Sequence, residues 1–275
     1  NTKLNNGQKK CAELILTTTD RVIGIQGYAG VGKTYMLKAV KKIANDQGYE
    51  LLGLAPTGVA ARNLSNESGI NSITLQKFLA DYDGVACGRG TKEGRELMKS
   101  EFAKTIVIVD EAGMISNTQM KNLLTISKEL NFKQVLTGDD KQLDATEAGT
   151  PFNGLQKGGM QTAKMTNILR QTNPELKTAV YNIIGQDIKS AFDKMDFVET
   201  PREVTKFDDG TTWIEPNSEL TTRMIERMAD HFMNLNHQQR QSTLIITPAN
   251  EARQLANDLI SEALYKERIG QENNN

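Results

Sequence analysis

A glycine-rich stretch of eight residues constrains this chain more than any other part of its sequence. Residues 27–34 read GYAGVGKT, which fits the pattern G-x-x-x-x-G-K-[ST]. An apolar run at residues 22–25 precedes the stretch, and an amphipathic pattern at residues 33–46 follows it. A strand, a glycine-rich turn and a helix in this order point backbone N–H groups at an anion and add the positive end of the helix dipole. The stretch therefore predicts a phosphate-binding loop.

The residues of this loop have separate expected roles. Lys33 is expected to reach the β- and γ-phosphates of ATP, and the Thr34 hydroxyl is expected to ligate Mg²⁺. A glycine-rich turn that binds nothing is the alternative, and the flanking strand and helix disfavour it. The predicted nucleotide contacts in the loop are Gly27, Gly30, Val31, Gly32, Lys33 and Thr34.

An acidic pair follows a second apolar run, at residues 106–109. A strand there would carry Asp110 to the sheet edge beside the phosphate loop, where it can hold Mg²⁺ through water. Glu111 can then orient and deprotonate an attacking water. An acidic turn without function is the alternative. Two consecutive carboxylates beside a phosphate loop predict nucleotide hydrolysis, and they disfavour a small-molecule kinase, which needs no water activator.

Short apolar runs alternate with amphipathic stretches along most of the chain. Runs that predict buried strands lie at residues 22–25, 51–54, 105–109 and 134–137. Strands that alternate with helices are joined by right-handed crossovers, so they form a mostly parallel sheet with helices on both faces. The sequence therefore predicts an α/β fold.

Two stretches depart from this alternation. Residues 80–100 are polar and contain four glycines, which predicts a loop or a small hairpin inserted into the sheet topology. Residues 196–219 are rich in turn signals, which predicts a connector that extends to residue 240. A first domain would then cover residues 1–195.

The C-terminal part predicts the beginning of a second α/β domain at residues 241–275. An apolar run at residues 242–248 predicts a buried strand, and an amphipathic helix is expected at residues 250–267. The sequence does not begin with Met, so we expect an excised fragment of a longer protein.

Composition narrows the possible partners and the compartment. No apolar run approaches the roughly 18 residues of a membrane span, so no membrane partner is expected. The formal net charge is −1, but the first hundred residues carry 14 Lys and Arg against 9 Asp and Glu, which suits a polyanion there. Only Cys11 and Cys87 occur, without metal-ligand spacing, which favours the reducing cytoplasm.

With these motifs in place, the chain resembles a superfamily 1 DNA helicase of the RecD/TraI branch, most of all the C-terminal helicase domain of conjugative relaxase–helicases. The resemblance runs from about residue 8 to about residue 259. Besides the phosphate loop, the matching segments are residues 55–61 (APTGVAA), 72–79 (SITLQKFL), 110–114 (DEAGM), 136–143 (LTGDDKQL) and 169–172 (LRQT).

This resemblance implies a RecA-like P-loop NTPase fold, a small pin-like insertion at residues 80–100, and several roles for single residues. Gln8 matches the glutamine that contacts adenine, and Gln142 matches the sensor of the γ-phosphate. Arg170 matches the arginine that stabilises charge on the γ-phosphate during transfer. Plain surface positions are the alternatives for Gln8 and Arg170.

The resemblance also implies a DNA partner. Pro56, Thr57 and Thr74 correspond to positions that touch the backbone of single-stranded DNA, although Thr57 is also a suitable helix cap. The implied function is the ATP-hydrolysing motor core of a single-stranded-DNA translocase or 5′→3′ DNA helicase in conjugative DNA transfer. A relaxase domain and other domains of the full-length protein are the further implied partners.

Two other functions remain open at this point. The chain could be a helicase-derived module that binds single-stranded DNA without cycling, although such a module would be expected to have lost Lys33, Asp110, Glu111 or Arg170. It could also be a P-loop ATPase that acts on protein. With most of the second domain missing, we expect slow hydrolysis and no duplex unwinding by residues 1–275.

Overall fold

The computed structural model describes residues 3–139, 149–192, 202–206, 212–216, 218–247 and 249–272. The backbone divides into two compact units, residues 1–195 and residues 196–275.

A parallel sheet forms the centre of the first unit. Within the described residues its strands are β1 (Val22–Gly27), β2 (Glu50–Ala55), β3 (Asn71–Thr74), β4 (Thr105–Val109), β5 (Lys133–Gly138) and β6 (Thr162–Met165). They lie in the order β3-β2-β4-β5-β1-β6, and each neighbouring pair is parallel. Since β5 lies between β4 and β1, the carboxyl ends of these three strands meet at one edge of the sheet.

Helices pack on both faces of this sheet. They are α1 (Asn6–Thr17), α2 (Lys33–Asp46), α3 (Gly58–Ser68), α4 (Leu75–Asp81), α5 (Asp83–Ala86), α6 (Lys92–Phe102), a short 3₁₀ helix (Ala112–Met114), α7 (Asn117–Leu130), α8 (Pro151–Lys157), α9 (Pro174–Ile184) and α10 (Ile188–Phe192). Strand residues alternate between two apolar clusters, because successive side chains point to opposite faces. Ile106 and Ile108 join the cluster of α1 and α2, whereas Val107 and Val109 join the cluster of α7. The predicted two-sided parallel α/β fold is confirmed, and it is RecA-like.

In the described part of the first unit, the sequence missed two strands, β3 and β6. Both have only four residues and lie at the edges of the sheet, where each has a single neighbour. Edge strands need less apolar surface than central strands, so their sequences, NSIT and TAKM, carry a weak signal.

The prediction of a loop or small hairpin at residues 80–100 is wrong, because this stretch is largely helical. Helices α5 and α6 occupy most of it, and the turn between them contains Gly88 and Gly90, both with positive φ. Thr91 caps α6, since its hydroxyl accepts a hydrogen bond of 3.1 Å from the Gly94 amide. The glycines thus end one helix and allow the next to begin.

The described residues of the second unit form a hairpin and three helices. Strands β7 (Arg202–Lys206) and β8 (Thr212–Pro216) are antiparallel, and α11 (Ser218–Asn234), α12 (His237–Ser242) and α13 (Asn250–Glu272) follow. Helix α11 packs against α13. The hairpin lies in the stretch where turn signals predicted only a connector.

The predicted strand at residues 242–248 is not formed in the described residues 242–247. Ser242 ends α12, and the five residues after it have no regular structure. A buried strand needs a hydrogen-bonding neighbour and covered side chains. Instead Leu244 and Ile246 are each 81% exposed. The domain assignment that rested on this strand stays a prediction.

No helix in the described part of the chain has both the length and the apolar character that crossing a membrane requires.

Candidate nucleotide-binding and active site

The phosphate loop lies between β1, which ends at Gly27, and α2, which begins at Lys33. Gly30 and Gly32 have φ values of 74° and 82°, a region that side-chain-bearing residues rarely occupy. A β-carbon at Gly27 would lie 3.1 Å from Cγ2 of Val31, so the loop folds closely on itself. The backbone has the curled shape that turns N–H groups toward an anion.

Two side chains of the loop lie at its mouth. The Nζ of Lys33 donates a hydrogen bond of 3.0 Å to the Gly27 carbonyl oxygen, so its charge stays within the loop. Thr34 is the second residue of α2 and is half-buried. The helix N-terminus adds partial positive charge at the same place. The loop therefore offers a cation, a hydroxyl and backbone N–H groups to an anion.

Gln8 supports the loop from α1. Its carboxamide is buried, and Nε2 donates to the carbonyl oxygens of Val31 at 3.1 Å and Gly32 at 3.4 Å. Its Oε1 accepts from the Asn5 amide, while the Asn5 side chain accepts from the Gln8 amide. This capping box begins α1 and fixes the carboxamide against the phosphate loop.

Arg170 follows β6 and lies against the same loop. The backbone amides of Leu169 and Arg170 both donate to the Gly30 carbonyl oxygen, at 2.8 Å and 3.0 Å. The Arg170 side chain is exposed. The structure thus brings this predicted arginine to the phosphate loop across about 140 residues of sequence.

Asp110 is held at the end of β4 by two hydrogen bonds. Its amide donates to the Leu54 carbonyl oxygen at 2.8 Å, and its Oδ1 accepts from the Thr137 hydroxyl at 2.7 Å. Thr137 belongs to β5, the strand between β4 and β1. The Thr137 hydroxyl therefore orients the Asp110 carboxylate at the sheet edge where the phosphate loop begins.

Glu111 occupies a strained backbone position beside this aspartate. Its φ of 51° and ψ of 46° lie in the left-handed region, which non-glycine residues adopt mainly at specialised sites. Burial raises the pKa of the Glu111 carboxyl; the Lys33 ammonium opposes this shift, while the carboxylates of Asp110 and Asp139 add to it. A carboxyl with a raised pKa is a better proton acceptor. The strand order β4-β5-β1 brings the acidic pair and the phosphate loop to the same edge of the sheet.

The oxygen donors at this edge suit Mg²⁺. Thr34 offers a hydroxyl and Asp110 a carboxylate, and hard oxygen ligands are those that Mg²⁺ prefers. In the described ranges no group of three or more His, Cys, Asp or Glu side chains could hold a metal ion by itself. Mg²⁺ usually takes one or two carboxylates together with substrate phosphates, and the residues present fit that arrangement.

The predicted DNA-binding residues lie at the start of two neighbouring helices. The Thr57 hydroxyl caps α3 by accepting from the Ala60 amide at 3.1 Å, and the Thr74 hydroxyl caps α4 by accepting from the Lys77 amide at 3.2 Å. Pro56 and Thr57 line a cavity of about 210 Å³. Both hydroxyls are therefore in use as caps.

Two glutamines extend this cavity into a groove. Gln76 and Gln119 line the cavity beside Pro56, and both also line a neighbouring cavity of about 560 Å³. Gln119 was not predicted as a site residue. Its only signal in the sequence is the capping-box spacing from Ser116. We call the two cavities together the glutamine groove.

Gln142, the predicted γ-phosphate sensor, lies outside the described residues. The segment at residues 136–143, which contains Gln142, nevertheless shows a residue to which the sequence assigned no role. Asp139 is 6% exposed, and its Oδ1 accepts from Nε2 of Gln26 at 3.4 Å. No local pattern marked Gln26, which is the last residue before the phosphate loop.

Comparison with known proteins agrees with this fold. The AAA_30 family model, described as an AAA domain, matches residues 3–204. The multifunctional conjugation protein TraI of Escherichia coli K12 is 29% identical over 293 aligned positions, which cover 96% of this chain and 16% of TraI. The conjugal transfer protein TraA of Rhizobium radiobacter is 32% identical over 189 positions, covering 69% of this chain and 16% of TraA.

A solved structure shows the same fold. The Pif1 helicase of Candida albicans matches with a TM-score of 0.50 and 22% identity, over 66% of this chain and 44% of that one. The chain spans about a sixth of the length of TraI and TraA. Because the family model covers well over half of its residues, the chain belongs to the AAA_30 family and is a helicase-like AAA domain; its similarity to TraI and TraA is consistent with the RecD/TraI branch of superfamily 1.

Proposed function

We propose that residues 1–195 bind ATP with Mg²⁺ and hydrolyse it as the motor core of a single-stranded-DNA translocase or DNA helicase. The observation that carries this proposal is that β4, β5 and β1 are adjacent and parallel, so that Asp110 and Glu111, which follow β4, lie at the same sheet edge as the phosphate loop, which follows β1. A phosphate loop alone would suit many nucleotide-binding proteins. A half-buried carboxyl next to that loop, with a pKa that burial raises, suits water activation.

Each residue of the site has its own role in the proposed reaction. The loop backbone from Gly27 to Thr34 holds the phosphates, and the ammonium of Lys33 binds the β- and γ-phosphates. Thr34 and Asp110 hold Mg²⁺, which neutralises charge on the phosphate oxygens when bound. Glu111 orients the attacking water and accepts its proton.

Two further residues complete the proposed hydrolysis site. Arg170, whose backbone is hydrogen-bonded to Gly30, offers its guanidinium to the γ-phosphate. Gln142 senses the γ-phosphate. An arginine that stabilises transferring phosphoryl groups contributes orders of magnitude in rate, so its placement on the loop matters for turnover.

We propose that adenine binds beside Gln8. A cavity of about 280 Å³ lies at this corner, lined by Asn5, Asn6, Gly7, Val31, Lys164, Met165, Thr166 and Asn167. The hydrogen bonds of Gln8 to Val31 and Gly32 favour a role in shaping the corner rather than sole recognition of the base. Asparagine side chains offer both donors and acceptors to a purine edge.

We propose that single-stranded DNA follows the glutamine groove. Pro56, Thr57 and Thr74 lie at or beside its rim, and helix N-termini are favourable places for phosphates. The amides of Gln76 and Gln119 can donate to phosphate or base oxygens. The excess of basic residues in the first hundred residues supports a polyanionic partner.

The wider role is also a proposal. The printed names of TraI and TraA refer to conjugation and conjugal transfer, and each is about six times as long as the matched region. We propose the same setting for this protein, with 5′→3′ movement and with further domains, including a relaxase, as partners. The expectation that residues 1–275 alone do not unwind duplex DNA stays a prediction, which a strand-displacement assay tests.

The decisive experiment measures steady-state ATP hydrolysis with and without single-stranded DNA. We expect turnover that DNA stimulates, loss of turnover and of nucleotide binding in Lys33→Ala, and loss of turnover with retained binding in Glu111→Gln. DNA binding without any turnover would instead favour the non-cycling DNA-binding module. Turnover that single-stranded DNA does not affect would favour an ATPase that acts on protein.

A further inference from the structure

The Gln26 side chain, immediately before the phosphate loop, makes a buried hydrogen bond to Asp139 and a partly buried one to Gln156. Its Nε2 donates to Oδ1 of Asp139 at 3.4 Å, and its Oε1 accepts from Nε2 of Gln156 at 3.3 Å. Gln26 and Asp139 are each only 6% exposed. The amide thus bridges β1, the end of β5 and helix α8. Buried amides cost free energy unless they are hydrogen-bonded, so this orientation is strongly preferred.

The end of β5 packs directly on the turn that follows Glu111. A β-carbon at Gly138 would lie 3.2 Å from the Gly113 amide nitrogen and 3.3 Å from that of Ala112. A β-carbon at Gly113 would lie 3.3 Å from the backbone oxygen of Asp139. The backbone of Asp139 therefore packs against the 3₁₀ helix, of which Glu111 is the N-cap residue.

We propose that Gln26 is a positioning residue of the hydrolysis site, which holds Asp139 and, through it, the turn that aims Glu111. This inference rests on the proposed ATPase function. A general base must be held within a fraction of an ångström of its working position, and errors of about 1 Å can cost around 100-fold in rate. Glu111 stands in a strained backbone conformation, which persists only where neighbouring groups hold it.

The chemistry of the position favours glutamine. One end of the side chain donates to the Asp139 carboxylate and the other accepts from Gln156, so both a donor and an acceptor are needed. Glutamate would place a second carboxylate against Asp139. Methionine has a similar length but neither group, so Gln26→Met removes the hydrogen bonds with little change in volume.

The chain offers a matched control for this substitution. Gln134 is another fully buried glutamine of the same sheet, and neither polar atom of its side chain has a hydrogen-bond partner. Gln134→Met therefore makes the same chemical change without removing a side-chain hydrogen bond. A general effect of altering a buried glutamine would appear in both variants.

The test compares kcat, KM and the Kd of a fluorescent ATP analogue in the full chain with single-stranded DNA. For Gln26→Met we expect kcat to fall about tenfold while KM and Kd change less than twofold. For Gln134→Met we expect all three to stay within twofold of wild type. Asp139→Ala removes what Gln26 positions, so adding Gln26→Met to it should lower kcat by less than a further factor of two.

Other outcomes overturn the inference in distinguishable ways. Two results would overturn the positioning role while leaving the proposed function in place, provided that the wild-type chain turns over ATP. One is an unchanged kcat in Gln26→Met, and the other is an equal loss of kcat in both methionine variants. A wild-type chain without turnover overturns the proposed function and this inference with it. If Gln26→Met does not fold, Gln26→Asn decides by the same criterion, because its amide is one methylene too short to reach Asp139.

Discussion

The carbonyl oxygen of Gly30 accepts hydrogen bonds from the backbone amides of Leu169 and Arg170, and a β-carbon at Gly30 would lie 2.7 Å from Cβ of Arg170. The phosphate loop and the segment that carries the proposed arginine are therefore in direct backbone contact. Glycine at position 30 satisfies two demands at once, a left-handed backbone and this close approach.

Gly30→Ala should weaken nucleotide binding. Alanine would have to adopt a φ of 74° and would push its methyl group into Arg170, so the loop must shift. We expect an affinity for a fluorescent ATP analogue at least about tenfold lower, a loss of roughly 1.4 kcal/mol. Gly84→Ala is the control, since nothing lies within 4 Å of a β-carbon there. Equal affinities in the two variants would contradict the prediction that an alanine at position 30 distorts the loop.

Thr137→Val should raise the Mg²⁺ concentration that ATP turnover requires. The Thr137 hydroxyl donates to Oδ1 of Asp110 at 2.7 Å, and valine keeps the shape without the donor. Loss of an orienting partner to a metal-binding carboxylate typically costs 10–100-fold in metal affinity. We expect the Mg²⁺ concentration for half-maximal ATP turnover to rise about tenfold.

The control for this change is Thr17→Val, which removes a hydroxyl that bonds only within α1, at the Glu13 carbonyl oxygen. Its Mg²⁺ dependence should match wild type. An unchanged Mg²⁺ dependence in Thr137→Val would show that the carboxylate keeps its orientation without the hydroxyl.

Gln134→Met should stabilise the fold. Gln134 is fully buried in β5 beside Val22 and Val107, and its amide has no hydrogen-bond partner. An unsatisfied buried amide costs about 1–3 kcal/mol, which methionine avoids at similar volume. Urea denaturation should show a free energy of unfolding higher by about 1 kcal/mol or more. A lower value would mean that the amide is satisfied in solution.

The two cysteines should differ in reactivity. Cys11 is fully buried and Cys87 is exposed, so a thiol reagent should modify one thiol quickly in the native protein and the second only on unfolding. Rapid modification of both thiols without denaturant would contradict the burial of Cys11.

The buried thiol of Cys11 should also make the folded state less stable at alkaline pH. Burial raises the pKa of its thiol from 9.0 to about 11. Between these values the folded state holds a proton that the unfolded state has released, so stability falls as the pH rises from about 9 to 11. The loss should approach about 2–3 kcal/mol at pH 11. In Cys11→Ala this contribution should be absent, which urea denaturation at several pH values checks.

The sequence predicted an element correctly where its own residues carry the signal. It failed where the element depends on a neighbouring part of the fold. The runs that became β2, β4 and β5 are apolar because each lies between two other strands, whereas β3 and β6 lie at edges and escaped notice. The glycines of residues 80–100 predicted loops, yet Thr91 starts a helix among them. The run that contains Leu244 and Ile246 has strand composition but no neighbouring strand among the described residues of its unit.

The sequence by itself determined the phosphate loop and the acidic pair. The spacing of the glycines, Lys33 at the start of a helix, and a strand followed directly by Asp110 and Glu111 all act through local geometry. Only the tertiary structure decided that these motifs meet. The strand order β4-β5-β1 brings Thr137 to Asp110 and Asp139 to Gln26, residues 27 and 113 positions apart. Contacts of that separation depend on which strands become neighbours, and no local pattern of residue types specifies them.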